Sequence, residues 1–293
     1  MKKQTLLVLL SIMFLLVLHN LHMVNGDFGT VEIGYDDGEA DGGVSDLANK
    51  TYGWGVLFDH PALGQPFQLV CIKLYIYDVT GADGLLRIFV YTYTPKDEKY
   101  VKLFETIVGG LSKGWNQIDF EEYRLFVKRK FIIGVNWAKN YTLFLGDDRD
   151  TKCHSGGFNT TRMTGFEHFE ERNFMIRAVL RKSVVVDVKA APKQLNLKSR
   201  GKWITVCINL PGDLDSAKPA LASIMLNGTI PVGILQRYNC KTTAWEIMVK
   251  FRRYAIKETI IQSPLKIKVK FVLTGYFSNG IVFYGEFLLE VKN

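Results

Sequence analysis

Residues 67–79 read FQLVCIKLYIYDV, and their alternation decides the fold class. In an extended chain the two faces of this segment carry different residues: Leu69, Cys71, Lys73, Tyr75 and Tyr77 on one, Val70, Ile72, Leu74 and Ile76 on the other. Successive side chains of a strand point to opposite faces of a sheet, so this pattern predicts a β-strand. The aliphatic face should cover a core, while the face with the lysine and the two tyrosines should be partly wet.

Further short segments of the same kind follow, separated by glycine-containing turns. They are LLRIFVYTY (85–93), YVKLFETIV (100–108), NQIDF (116–120), YRLFV (123–127) and KFIIGVNW (130–137). No segment keeps an apolar pattern at i, i+3, i+4 and i+7, so we expect few helices. Many short strands between turns are typical of a sandwich or a barrel, and we predict an all-β chain.

A second set of strands begins after FMIRAVL (174–180). Its members are WITVCINL (203–210), ASIMLN (222–227), WEIMVKF (245–251), LKIKVKFVLTGYF (265–277) and GEFLLEV (285–291). The chain is too long for one small domain and suits two. We therefore predict two β-sandwich domains after a leader: a jelly-roll-like domain at 27–182 and a smaller sandwich at 183–293.

The first 26 residues, MKKQTLLVLLSIMFLLVLHNLHMVNG, have the order of a secretory signal peptide. Two lysines precede an apolar run from Leu6 to Leu18, and Val24 and Gly26 occupy the −3 and −1 places of a cleavage site. The apolar run is short for a bilayer core of roughly 30 Å. We predict a secreted or cell-surface protein, with a membrane attachment only if this leader stays uncleaved.

The charge of the chain is mildly basic. It is +8 at pH 7, and removal of Lys2 and Lys3 with the leader leaves +6. Lysines and arginines look scattered, apart from short runs such as KRK at 128–130. Nucleic-acid binding would require a concentrated basic patch with stacking aromatics, so we do not predict a nucleic acid as partner.

The cysteines and sequons agree with export. An even number of cysteines in an exported chain favours disulfides, and pairing within each domain would join Cys71 to Cys153 and Cys207 to Cys240. Four free buried thiols are the alternative. Asn-x-Ser/Thr sequons predict glycosylation where they are exposed; they begin at Asn49, Asn140, Asn159 and Asn227.

An acidic stretch, GYDDGEADGG (34–43), follows the leader. Calcium takes six to eight oxygen ligands, and carboxylates here could combine with others from a distant loop. That calcium site would use Asp36, Asp37, Asp41, Asp147 and Asp148. The spacing does not fit an EF-hand. Asp and Gly are also the residues of tight turns, so a turn alone and direct ligand contact stay open as alternatives.

Three aromatic residues of the first domain are candidates for sugar binding. Trp54 lies between two glycines in YGWGVLF (52–58), with Tyr52 beside it, and Trp115 begins another strand. Sugar C–H groups stack on the electron-rich face of such rings. The alternative is that these rings belong to the core or to the sheet edges.

No catalytic motif stands out. The chain has no HExxH, P-loop or dinucleotide fingerprint, and HSGG at 154–157 is not a GxSxG elbow. A hydrolase built on Ser155, His154 or His168 and a nearby aspartate remains the minor alternative. We expect a non-enzymatic protein.

Two regions resemble known families. VVVDVKAAPKQLNLKSRGKWITVCINLP (184–211) is similar to a β-sandwich repeat of exported archaeal and bacterial surface proteins with the signature VDIKP…LNLKSKGKWITVYIELP. Members often carry an acidic, calcium-like stretch where this chain has QRYNCKTTAWEI (236–247). The segments YDDG (35–38), YGWGVLF (52–58) and VCIKLYIY (70–77) resemble jelly-roll modules beside exported peptidases.

The resemblance implies an accessory module without catalysis of its own. We therefore expect a non-catalytic binding or structural protein at the cell surface, with a glycan as the favoured partner. Contact with another protein of a surface layer is the runner-up.

Overall fold

The computed structural model of the protein separates into two compact units, residues 1–181 and 182–293. It describes residues 25–26, 29–45, 52–59, 64–80, 84–94, 99–139, 143–149, 154–159, 166–168, 172–210, 219–238, 246–261 and 268–292. Strands dominate both units, which confirms the all-β prediction.

The predicted leader lies almost wholly outside the described residues. Only Asn25 and Gly26 are described, and they form a short strand that pairs with Thr30 and Val31. Signal-peptide cleavage therefore stays a prediction. Within the described ranges, the structure contains no helix with the length and apolar character of a membrane span.

The first unit contains β1 to β14 and the first part of β15. The bounds are β1 Asn25–Gly26, β2 Thr30–Ile33, β3 Gly42–Val44, β4 Tyr52–Asp59, β5 Phe67–Val79, β6 Leu85–Thr94, β7 Lys99–Val108, β8 Gly114–Asp119, β9 Leu125–Val127, β10 Lys130–Lys139, β11 Leu143–Asp148, β12 Ser155–Asn159, β13 Glu167–His168, β14 Asn173–Phe174 and β15 Ile176–Val185. A single turn of 3-10 helix, Glu121–Tyr123, connects β8 to β9.

Strand β5 organises the first sheet of this unit. It pairs antiparallel with β9 and then with β8, and its end pairs with β11. In addition, the amide of Tyr75 in β5 donates to the carbonyl of Met175, just before β15, at 3.0 Å. The start of β15 pairs with β2, and β11 pairs with β3 and β14. This sheet therefore collects strands from both ends of the unit.

The second sheet has the strand order β13-β12-β4-β10-β6-β7. Between the two sheets lies one hydrophobic core, which makes the unit a sandwich. Its members include Ile72, Leu74 and Ile76 of β5, Val56 and Phe58 of β4, Ile88 and Val90 of β6, and Phe131, Ile133 and Val135 of β10.

The alternation predicted for residues 67–79 is correct from Ile72 onward but wrong at Leu69 and Val70; Val70, predicted on the core face, is half-buried and does not belong to the core. Leu69 is buried in the core, on the same face as Ile72, although its position in the sequence assigns it to the other face. Strand β5 exchanges β9 for β8 after this residue, and the carbonyl of Val70 accepts from the amide of Phe120 at 2.7 Å. The change of partner shifts the alternation, as a bulge does.

In its described residues, the second unit contains the end of β15, nine further strands and one helix. The bounds are β16 Asp187–Ala191, β17 Gln194–Asn196, β18 Trp203–Asn209, β19 Pro219–Leu226, β20 Ile230–Pro231, β21 Ile234–Tyr238, β22 Glu246–Arg252, α1 Arg253–Ile261, β23 Lys268–Phe277 and β24 Val282–Lys292. One sheet has the order β16-β18-β22-β21. In the other, β24 pairs with β23, β17 and the end of β15, and β23 pairs with β19.

A second core lies between these two sheets. It includes Ile204, Val206 and Ile208 of β18, Val249 and Phe251 of β22, and Phe271, Leu273 and Leu289 of the opposite sheet. Helix α1 adds Ile256 and Ile260 to this core. Two apolar residues four apart are a weak signal in nine residues, which is why the sequence did not predict this helix.

Candidate functional site

The outer face of the first sheet carries a row of aromatic side chains. Tyr75 and Tyr77 project from β5 on the side away from the core, and Trp115 of β8 is the direct partner of Tyr75. The rings of Tyr75 and Trp115 meet edge to face, with centroids 5.4 Å apart at 77°. Tyr77 is 40% exposed and Trp115 is 37% exposed. We call Tyr75, Tyr77 and Trp115 the aromatic face.

Two glycines seat the tyrosines of this face. Gly43 of β3 is paired with Gly146 of β11. A Cβ at Gly43 would lie 2.7 Å from Cβ of Tyr77, and a Cβ at Gly146 would lie 2.7 Å from Cδ1 of Tyr75. These separations are below van der Waals contact, so only glycine lets the tyrosines lie flat against the neighbouring backbone. The position of both rings is therefore fixed by the sheet.

A charged cluster borders the aromatic face. Arg177 of β15 places its guanidinium carbon 4.4 Å from the centre of the Trp115 ring, a cation–π contact. Its Nε donates to both carboxylate oxygens of Asp36, at 3.1 and 3.2 Å, and its Nη1 donates to Glu32 at 3.1 Å. Lys73 of β5 donates to the other oxygen of Glu32 at 2.6 Å. We call Glu32, Asp36, Lys73 and Arg177 the charge ladder.

The ladder shifts the pKa values of Glu32 and Arg177 toward their charged forms. Burial raises the pKa of Glu32, but hydrogen bonds from Lys73 and Arg177 outweigh burial, so the pKa lies below its ordinary value. Burial lowers the pKa of Arg177, while Asp36 and Glu32 raise it by a larger amount, so the guanidinium stays charged. Fixed charges thus lie directly beside the exposed rings.

The acidic stretch, residues 34–43, lies beside β11 and is joined to it by hydrogen bonds. The amide of Asp37 donates to Asp148 Oδ2 at 3.0 Å, the amide of Asp41 donates to the Asp147 carbonyl at 3.0 Å, and the amide of Arg149 donates to Asp41 Oδ2 at 2.7 Å. The structure therefore places residues 36–41 next to residues 147–148, the two segments that the calcium hypothesis combined.

Arginine side chains contact two of the carboxylates predicted for calcium, Asp36 and Asp147. Asp36 is bound by Arg177, and the buried Asp147 accepts from Arg149 at 3.3 Å with Arg172 at 3.6 Å. In the part of the chain that the structure describes, no three His, Cys, Asp or Glu side chains are arranged to hold a metal ion. Calcium binding by these residues stays a prediction.

Of the predicted sugar-binding aromatics, only Trp115 lies on the aromatic face. Trp54 is on β4, an interior strand of the other sheet, and its half-buried ring packs on the core with its centroid 5.6 Å from that of Phe174. Tyr52 pairs with Asn159 along the backbone, and its side chain lies outside the described residues. The sequence offered no way to tell which face each tryptophan would occupy.

The predicted disulfides do not form at their described ends. Cys71 is a buried thiol on β5 and Cys207 a half-buried thiol on β18, and neither belongs to a disulfide. Burial raises the pKa of Cys71 to about 11, so the neutral thiol is stable in this environment. Cys153 and Cys240 lie outside the described residues.

The sequons are only partly described. Asn227 is exposed in the turn between β19 and β20, and its Oδ1 accepts from the amide of Val272 at 2.8 Å. Asn159 ends β12, with its side chain outside the described residues. Asn49 and Asn140 also lie outside them, and glycosylation stays a prediction.

The residues of the hydrolase alternative have structural contacts. The Ser155 hydroxyl is buried and accepts from the amide of Phe174 at 2.7 Å. The His154 ring stacks on Tyr35, with centroids 3.8 Å apart, and its backbone amide donates to Asn173 at 2.6 Å. Asp147 is bound to arginines. His168 has only its backbone described.

Sequence reasoning missed Arg177 and Lys73. Arg177 is the only charged residue in FMIRAVL (174–180), and a charge in an otherwise apolar strand was a usable signal. Lys73 was placed correctly on the face of Tyr75 and Tyr77. Its pairing with Glu32, 41 residues away, became visible only in the fold.

Comparisons with known proteins give no family assignment. No protein-family model matches the chain, and no curated protein matches it. Among solved structures, the cysteine protease and lectin-like domains of Cwp84, a surface layer associated protein of Clostridium difficile, align with a TM-score of 0.32 and 15% identity. That alignment covers 45% of this chain and 32% of the other.

A second structure, clostridial cysteine protease Cwp84 after propeptide cleavage, aligns with a TM-score of 0.35 and 15% identity over 54% of this chain and 41% of that one. The chain thus spans less than half the length of either solved chain. Similarities at these TM-scores carry no argument about its function.

Proposed function

We propose that this chain is a non-catalytic binding protein of the cell surface, and that its aromatic face holds a glycan. The observation that carries the proposal is the row of exposed rings, Tyr77 and Trp115, beside the ordered charges of the ladder. Sugar rings present C–H groups on their faces and hydroxyls at their edges. Aromatic rings stack on the C–H groups, and charged side chains form hydrogen bonds with the hydroxyls.

The rigidity of this face supports the proposal. The Tyr75 and Tyr77 rings lie against Gly146 and Gly43, and Arg177 holds the Trp115 ring from one side. Rings that are ordered before binding lose little conformational entropy when a ligand arrives. Lys73 is partly exposed next to Tyr75 and can donate to a sugar hydroxyl.

The test measures binding of the chain without residues 1–26 to an array of neutral glycans and surface polysaccharides. Trp115→Ala and Tyr77→Ala should each weaken binding by about tenfold, or ~1.4 kcal/mol, which is the scale of one aromatic contact. Tyr123→Ala is the matched control. Tyr123 is 41% exposed but packs on Phe104, with ring centroids 4.4 Å apart.

Two results would contradict the proposal: no glycan bound by the intact chain, or equal binding by the Trp115→Ala/Tyr77→Ala variant and the Tyr123→Ala control. The first would favour the runner-up, contact with another surface protein. Hydrolysis of a bound glycan, abolished by a substitution on this face, would favour the enzyme alternative instead.

A further inference from the structure

A pocket of about 530 Å³ lies in the second unit, where the loop before β18 meets the end of β22 and the first turn of α1. Its walls combine cationic and aromatic side chains: Arg200, Lys202, Trp203, Arg252, Arg253 and Tyr254. The volume is within the usual range of small-ligand sites. We call it the basic pocket.

Two cationic side chains of the basic pocket, Arg253 and Lys257, form hydrogen bonds that hold the loop before β18. Arg253 Nη1 donates to Ser199 Oγ at 2.6 Å, and Lys257, which also lines the pocket, donates to the carbonyls of Leu197 and Ser199. The amide of Arg253 donates to the Lys202 carbonyl at 2.9 Å. The loop therefore has a fixed shape around the pocket.

The remaining cations are available to a ligand. Arg200, Lys202 and Arg252 are exposed, and Arg252 lies over the Trp203 ring with 5.8 Å between its guanidinium carbon and the ring centre. No aspartate or glutamate among the described residues lines the pocket. Positive charge that no neighbouring carboxylate compensates attracts an anion.

The net positive charge of the second unit also favours an anionic ligand. Residues 182–293 contain 17 Lys and Arg against 7 Asp and Glu, whereas residues 1–181 contain 20 against 22. The mild overall charge hides this division, so the sequence-based view of scattered cations was incomplete. An anionic polymer would be attracted to the second unit in particular.

We infer that the basic pocket binds an acidic polysaccharide. Arg200, Lys202 and Arg252 would bind the carboxylate or sulfate of one sugar, and Trp203 and Tyr254 would contact sugar rings. Tyr254 is 57% exposed at the mouth of the pocket. A pocket of this volume fits one charged sugar better than the repeated phosphates of a nucleic acid, which require an extended basic surface.

The experiment measures the affinity of the full chain without residues 1–26 for polygalacturonate and dextran sulfate by calorimetry, with neutral dextran and double-stranded DNA alongside. We expect binding to one or both acidic polysaccharides and none to dextran. Polygalacturonate and dextran sulfate distinguish a carboxylate from a sulfate ligand.

The variant Arg200→Glu/Lys202→Glu should lower this affinity at least tenfold, and Tyr254→Ala should lower it severalfold. The matched control Lys193→Glu/Lys292→Glu changes the net charge equally at exposed lysines outside the pocket, and it should change the affinity less than twofold. Circular dichroism checks that all variants fold.

Equal affinity in the pocket and control double variants would overturn the inference, as would binding to DNA as tight as to the polysaccharides. The inference does not depend on the aromatic face. Trp115→Ala should leave acidic polysaccharide binding unchanged, so failure at one site is distinguishable from failure at the other.

Discussion

Arg177 connects the stability of the first unit to its aromatic face. Its guanidinium lies between the carboxylates of Glu32 and Asp36 and against the Trp115 ring. Glu32 and Asp36 are buried; Arg177 pairs with both, and Lys73 also pairs with Glu32. One side chain thus neutralises the acidic groups beneath the aromatic face and holds the ring above them.

Removal of the Arg177 charge should strongly destabilise the protein. Arg177→Met keeps an aliphatic side chain under Trp115 but takes the guanidinium away from the buried Asp36 and leaves Glu32 with Lys73 alone. Breaking a buried pair in this way costs about 3–5 kcal/mol in the free energy of unfolding. Arg129→Met is the control, because the Arg129–Asp59 pair is more exposed and is worth about 0–1 kcal/mol. Urea denaturation measures both, and equal losses would contradict this role.

Glu32 should make the stability depend on pH. Its pKa is lowered from the ordinary 4.5, so the folded protein holds the charged form more strongly than the unfolded chain does. The resulting stabilisation is complete above pH 4.5 and is lost as the pH falls through the lowered value. Glu32→Gln removes this titration.

The difference in the free energy of unfolding between the protein and Glu32→Gln should therefore be constant above pH 5 and shrink on acidification. Urea denaturation at a series of pH values measures it. A difference that stays the same down to pH 2 would contradict the lowered pKa.

At the scale of elements, the tyrosines of β5 can pack against β3 and β11 only because glycines lie opposite them. Gly146→Ala would place its Cβ 2.7 Å from the Tyr75 ring and 3.1 Å from Met175 Sδ, so the ring must move. Overpacking of this kind costs about 1–3 kcal/mol. The variant should also weaken glycan binding, because the Tyr75 ring supports Trp115.

A double-mutant cycle isolates the Gly146 contact. In a Tyr75→Ala background, Gly146→Ala has no ring to displace and only the approach to Met175 Sδ remains, so its effect on stability should be clearly smaller than in the parent protein. Thermal or urea unfolding of the four proteins gives the coupling. Additive effects would indicate that the two residues do not act on each other.

The orientation of strand residues could be predicted from the sequence wherever the alternation of apolar and polar residues determines it. Ile72, Leu74 and Ile76 face the core as predicted, and Tyr75 and Tyr77 face outward. Leu69 was misassigned because its orientation depends on an exchange of partner strands. The charge ladder joins Arg177 to residues more than 140 positions away, and no local pattern encodes such contacts.

For the whole molecule, the two units differ in charge, and this difference gives a test in solution. Raising the salt concentration from 0.05 to 0.5 M should weaken acidic polysaccharide binding by at least about fivefold, because salt screens charges. Neutral glycan binding at the aromatic face depends on ring contacts and should change by less than about twofold. Calorimetry at both salt concentrations measures the contrast, and equal dependence would contradict two separate sites.

The position of Arg177 in the chain has a consequence for biogenesis. The guanidinium that completes the aromatic face arrives on β15, the last strand of the first unit, while Glu32 and Asp36 are synthesised near its start. During synthesis, the ion pair of Asp36 therefore cannot form until residue 177 follows. Completion of the aromatic face must be a late event in the folding of the first unit.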